Sequence, residues 1–137
     1  MKYLSTKTYG HERGLSCAFR QPQANSHCKY VHGYALSFKF TFGCNKLDDN
    51  NWVVDFGGLK TLKEWLEKTF DHKLCLDEND PNLHHFHVLE DAGLCQIEIM
   101  DGVGCEKFAE HAFKFADKNI KHKTEGRCWV ESVEVKE

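Results

Sequence analysis

A chain of 137 residues, 41% hydrophobic and 28% charged, can bury one real core and is ordinary in composition for a globular protein. Its net charge of −3 offers no basic surface to nucleic acid or an anionic membrane, and no apolar run approaches the ~20 residues that cross a bilayer. Residues 1–6 lack an apolar signal core, so the expectation is a cytoplasmic protein with neither a nucleic-acid nor a membrane partner. Seven cysteines, odd in number, dispersed and without a Cys-x-x-Cys pair, read as free thiols rather than a disulfide framework.

In chain order, residues 9–20 predict a first strand of weak alternation, and 22–26 a loop. Residues 34–43 give the clearest strand, with Leu36, Phe38, Phe40 and Phe42 on one face and Ala35, Ser37, Lys39 and Thr41 on the other. A turn cluster at 47–51 and a short strand at 52–56 predict an antiparallel hairpin with it. Leu59, Leu62, Leu66 and Phe70 stripe a helix over 58–70. Asp80-Pro81 starts a minor helix with Leu83, Phe86 and Leu89 on one side and Gly93 as its stop. Residues 95–100 alternate again. A strong helix over 104–118 carries Cys105, Phe108, Ala109, Ala112, Phe113 and Ala116 on one face, and 128–136 ends the chain as a strand. The pattern predicts a single α+β domain over 1–137, an antiparallel sheet with two main helices on one face.

The chemistry concentrates in Cys28-Lys29-Tyr30-Val31-His32-Gly33-Tyr34, directly before the clearest strand. A thiol reacts as its thiolate, and a nearby imidazole favours that form. Asp71-His72, after the first helix, is an acid that can orient a base, or simply a solvated helix end. Glu106 stands in the first turn of the last helix, where a carboxylate also complements the helix dipole, and Glu137 just beyond the last strand. His84, His85 and His87 lack a carboxylate or thiol at ligand spacing and read as a polar helix face.

Taken together, these segments resemble the 6-pyruvoyltetrahydropterin synthase / 6-carboxytetrahydropterin synthase family over about residues 15–137. The family's Cys-x-x-x-His-Gly-His stands here as Cys28 to Tyr34, with the gap of the carboxytetrahydropterin, queuosine-pathway branch. Val53-Val54-Asp55-Phe56-Gly57-Gly58-Leu59-Lys60, Asp71-His72, Glu106-Lys107-Phe108-Ala109 and the final Ser132–Glu137 strand follow in the family's order. The resemblance implies a tunnelling fold whose subunits, as trimers or hexamers, join their sheets into a closed β-barrel. It implies a lyase acting on 7,8-dihydroneopterin triphosphate, with Cys28 as base, Asp71 and His72 as a proton relay, and sites between subunits. Glu137 would accept two hydrogen bonds from the pterin edge, with Glu106 and Tyr34 as further substrate contacts. A zinc-depleted homologue that binds a pterin or purine without this catalysis, or runs altered chemistry on a related pterin, is the alternative.

The family holds zinc with three histidines. Of these, this chain retains His32, while Phe19 and Tyr34 stand at the other two positions. A catalytic zinc needs about three protein ligands, and Phe offers none. The expectation is a zinc site weakened or lost, unless His27 joins Cys28 and His32 around a metal.

Overall fold

The computed structural model describes all 137 residues. Its elements run β1 Tyr3–Tyr9, β2 Leu15–Phe19, β3 His32–Cys44, α1 Lys60–Phe70, β4 Lys73–Asp77, α2 Leu83–Asp91, β5 Ile97–Met100, α3 Cys105–Lys123 and β6 Cys128–Lys136. β3 is the spine. Leu36, Phe38, Phe40, Phe42 and Cys44 on its even face are completely buried. Each large apolar side chain so covered contributes about 1.5–3 kcal/mol.

The helical stripes cover that face. Phe70 of α1 lies 4.9 Å from Phe38 and 5.1 Å from Phe108 of α3, and Phe108 meets Phe19 of β2 edge-on at 5.2 Å. Trp65 of α1 stacks on Phe115 of α3 at 4.6 Å, which locks the two helices together. α3 outruns its predicted end because Ile120 continues the buried row of Phe108, Ala112 and Ala116 by one more turn.

Several expectations are corrected. The strand predicted over 9–20 is two strands, and β1 begins as early as Tyr3. Tyr9 pairs with Phe38 and Leu15 with Leu36, so the four extra residues on the first side are taken up by a one-turn 3-10 helix at His11–Arg13. The 52–56 segment is not a strand. Asp48 Oδ1 accepts from the Asn50 and Trp52 amides at 2.9 Å, Arg127 donates to the Lys46 and Val53 carbonyls, and a 3-10 turn follows at Phe56–Gly58. β3 pairs instead with β1 and β6, both antiparallel.

The sheet is also mixed rather than antiparallel: β4 lies parallel to β2, and β5 parallel to β4. The β4–α2–β5 connection crosses over a helix, which returns the chain to the same end of the sheet and makes parallel pairing the available one. β4 escapes sequence reading because Leu74, Cys75 and Leu76 are all buried, so the strand does not alternate. α2 starts at Leu83, later than Asp80-Pro81 predicts, and buries no residue. The seven cysteines are free thiols, and no helix is long and apolar enough to cross a membrane.

Candidate active site

The even face of β3 continues past the core to the sheet's rim, where Tyr34 and His32 follow Leu36 at the same period of two. Phe19, cross-strand partner of His32, closes one side. Cys28 arrives on a 3-10 turn at His27–Lys29, capped by the Ser26 hydroxyl, which accepts from the Cys28 amide at 3.3 Å. The start of α3 brings Gly104, Cys105 and Glu106, and the end of β6 brings Glu137. These residues, with Gln21, line a cleft of about 300 Å³.

Residues next to Phe19 tie the loops together. The Gln21 amide donates to the Cys28 carbonyl at 2.9 Å, and its side chain donates to the Val103 carbonyl at 3.1 Å. Arg20 Nε donates to the Lys29 carbonyl at 2.7 Å, and Nη1 reaches both oxygens of the fully buried Asp80 carboxylate at 2.9 and 3.0 Å. The turn bearing Cys28 is therefore pinned to β2, to the loop before α2 and to the start of α3. Gly104, at φ 106°, belongs to the same clamp: a Cβ there would lie 2.4 Å from Gln21 Nε2.

Gly33 sets the spacing of the two strands beneath the cleft. A Cβ at Gly33 would lie 2.9 Å from the Cys17 carbonyl, a backbone atom that cannot swing away. Gly33→Ala is expected to push β2 from β3 and cost about 1–3 kcal/mol, read as a lower denaturation midpoint at unchanged slope. A midpoint equal to that of the parent chain would show that the strands separate freely here.

The cleft is acidic and thiol-rich. Cys105 Sγ donates to Glu137 Oε2 at 3.7 Å. Burial first, then the charges of Glu137 and Glu106, pushes the Cys105 thiol up to about 11, so it stays protonated at neutral pH. Desolvation, and next the carboxylate of Glu137, likewise holds the Tyr34 phenol above its ordinary value. A protonated thiol and a protonated phenol beside one carboxylate make a donor–acceptor set suited to a polar heterocycle.

Of the candidates read from sequence, the structure gathers Cys28, His32, Tyr34, Glu106 and Glu137 in this cleft. His27 is exposed and does not line it. Asp71 and His72 stand elsewhere on the chain. His72 Nδ1 bonds Asp71 Oδ1 at 2.9 Å, and the His72 amide donates to the Ser16 carbonyl at the start of β2, whereas Cys28 is tied to Gln21 beyond its end. Those five residues of chain separate the pair from Cys28 by on the order of 15 Å. Asp71 lines a different small groove with Tyr9, Arg13 and Leu15, and the His72 ring projects into solvent. Cys105, Gln21, Arg20 and Asp80 were missed. The one available signal was Cys105's place beside Glu106 at a helix start, which its membership of an apolar stripe obscured.

The cleft's residues do not fit a zinc ion. The rings of Phe19, His32 and Tyr34 form a triangle with centroids 4.8, 5.4 and 6.0 Å apart, and only one of them is an imidazole. No three His, Cys, Asp or Glu side chains converge as a metal would require, on α2 with its exposed His84, His85 and His87 or anywhere else. A larger groove of about 550 Å³ lies beside Tyr3, Leu4, Trp52 and Phe56, but its single carboxylate, Asp55, is engaged with the Gly57 amide. Chemistry therefore favours the smaller cleft.

A helix-backed sheet with a polar, thiol-lined cleft at the rim of its core defines an α+β domain built around a small-molecule site. The chain belongs to the 6-pyruvoyl tetrahydropterin synthase family of pterin-metabolising enzymes, which it matches over residues 10–137. It is 37% identical over 57 residues to the 6-carboxy-5,6,7,8-tetrahydropterin synthase of Rickettsia typhi, a stretch that is 41% of either chain. The match to the protein of the same name from Aquifex aeolicus is 26% identity over 92 residues, 59% of this chain and 57% of that one. These matches thus cover about two fifths to three fifths of the relatives' lengths. The crystal structure of an uncharacterized protein from Wolinella succinogenes shares the fold with a TM-score of 0.81, at 18% identity, over 100% of this chain and 93% of that one.

Proposed function

We propose that this protein is a carbon–carbon lyase of the 6-carboxy-5,6,7,8-tetrahydropterin synthase type, serving deazaguanine (queuosine) precursor synthesis. The supporting observation is the convergence of Cys28, Tyr34, Glu106 and Glu137 on one cleft of about 300 Å³. The substrate is 7,8-dihydroneopterin triphosphate. With one water consumed, it yields 6-carboxy-5,6,7,8-tetrahydropterin, acetaldehyde and triphosphate.

In this reading Glu137 accepts two hydrogen bonds from the amino-pyrimidine edge, which fixes the ring and leaves its side chain against Cys28. Cys28 removes a side-chain proton. Proton return falls to the Asp71–His72 pair of a neighbouring copy, since within one chain it faces away. The exposed His72 ring, held by Asp71, is placed for such a role, and sheet closure into a trimer or hexamer would supply it. Release of acetaldehyde from dihydroneopterin triphosphate is the test. No release by the purified full chain, where a relative works, would reject the lyase.

A second reading, a pterin or purine binder without this catalysis, is favoured by the Phe19 and Tyr34 substitutions. Both readings share the Glu137 anchor. Glu137→Gln is expected to weaken pterin binding roughly 10- to 100-fold, the effect of losing hydrogen bonds to a charged group. Burial holds Cys105 up first and the Glu137 charge second, so removing that charge should move thiolate formation there part of the way to lower pH, followed by ultraviolet absorbance. Unaltered binding with a shifted Cys105 titration would place the ligand away from Glu137.

A further inference from the structure

We infer that this cleft works without a metal ion, and that His32 Nε2 and the Tyr34 hydroxyl stand in its place as an acceptor and a donor for a hydroxylated ligand side chain. The inference rests on reading the cleft as a pterin site, and extends it from the ring to the side chain.

The geometry is particular. His32 Nδ1 lies 2.7 Å from the Tyr30 carbonyl. A carbonyl can only accept, so Nδ1 carries the proton, and in the neutral ring Nε2 keeps its lone pair. That arrangement is how a ligating histidine is held, yet its two neighbours are not ligands. Phe19 is 3% exposed, packed at 4.8 Å on the His32 ring and at 5.2 Å on Phe108. It fills the space of a donor atom with carbon and steadies the imidazole.

Tyr34 meets His32 edge-on at 5.4 Å and, two residues along the same strand face, ends in a hydroxyl. The cleft has other donors of electron pairs, in Cys28, Cys105, Glu106 and Glu137. Without a ligand Glu137 accepts a hydrogen bond from Cys105 and faces the Tyr34 phenol, contacts that a pterin edge on Glu137 would replace, and no three such groups converge. With Glu137 taken by the ring, His32 and Tyr34 present one acceptor and one donor side by side on β3, the complement of a side-chain hydroxyl next to a second oxygen. A cation accepts only lone pairs, so a metal site reads such a side chain by chelation. This pair reads it by hydrogen-bond direction.

The experiment has two arms on the full chain. First, the protein is incubated with zinc alone, desalted and analysed for metal. The unaltered chain is expected to keep less than about a tenth of an equivalent, and a Phe19→His/Tyr34→His variant about one equivalent, since both changes restore imidazoles around His32. Near-stoichiometric zinc on the unaltered chain overturns the proposal, whether or not the variant folds. Second, affinities are measured by fluorescence for 7,8-dihydroneopterin and for 7,8-dihydropterin, which has no side chain. Tyr34→Phe is expected to weaken the first about tenfold and to leave the second within twofold. Equal effects on both ligands would mark Tyr34 as merely structural and overturn the proposal. Failure of the unaltered chain to bind either pterin overturns the pterin reading itself, an outcome that the zinc arm does not mimic.

Discussion

Replacing Cys28 with serine is expected to lower acetaldehyde release about 1000-fold while leaving affinity for dihydroneopterin within about twofold. General-base removal costs 10²–10⁴ in rate, and a serine hydroxyl in the same place is far too weak an acid to supply an anion at neutral pH. The substitution is nearly isosteric, and the turn's anchors are backbone groups. The Cys28 amide still donates to Ser26 Oγ, and the Cys28 carbonyl still accepts from Gln21. A loss in kcat without a change in affinity is therefore a loss of chemistry and not of the site. Undiminished turnover would remove Cys28 from the base's role and leave His32 to be tested. A parent chain that binds tightly but releases no acetaldehyde would make the binder reading the correct one.

Arg20→Ala is expected to be among the most destabilising single changes outside the aromatic core. Asp80 is completely buried and its carboxylate has one cationic partner. Deleting that partner leaves an uncompensated buried charge, worth about 3–5 kcal/mol. In a chain of this size the melting temperature should fall by on the order of 10 °C or more. Arg20→Lys is expected to recover only part of this, because an ammonium cannot reach both Asp80 oxygens and the Lys29 carbonyl at once. The double variant Arg20→Met/Asp80→Leu should lose less than the sum of its single changes, by about 0.5–3 kcal/mol. Strictly additive losses would show that the two groups do not act as a pair. The Arg20 contact to Lys29 also makes a specific functional claim. Arg20→Lys should lower turnover more than ring affinity, since it frees the turn that carries Cys28 while Glu137 is untouched.

The aromatic ladder explains why so much of the fold is readable. Leu36 to Phe42 at a strict period of two can only be one buried face, and α1 and α3 carry stripes that match it. The same period carries His32 and Tyr34 from the core to the rim, so their partnership is visible in the chain. Glu137, at the end of an alternating strand, is visible as well. The predicted 52–56 strand failed because Val53 and Val54 are both buried in succession, in a loop held by the Asp48 side chain and Arg127. Periodicity cannot separate such a loop from a buried strand.

By itself, then, the sequence determined which faces are buried, where the two main helices lie, and that Cys28, His32 and Tyr34 share a strand entrance. Tertiary structure alone decided the split of β1 from β2, the parallel addition of β4 and β5, and the pairing of Arg20 with Asp80 across 60 residues. It also decided the meeting of Cys105 with Glu137 across 32 residues and the distance of Asp71–His72 from Cys28 in one chain. The physical reason is one of range. Burial of a face is written in neighbours two, three and four positions apart. Register and crossover depend on contacts between segments whose separation along the chain leaves no periodic trace.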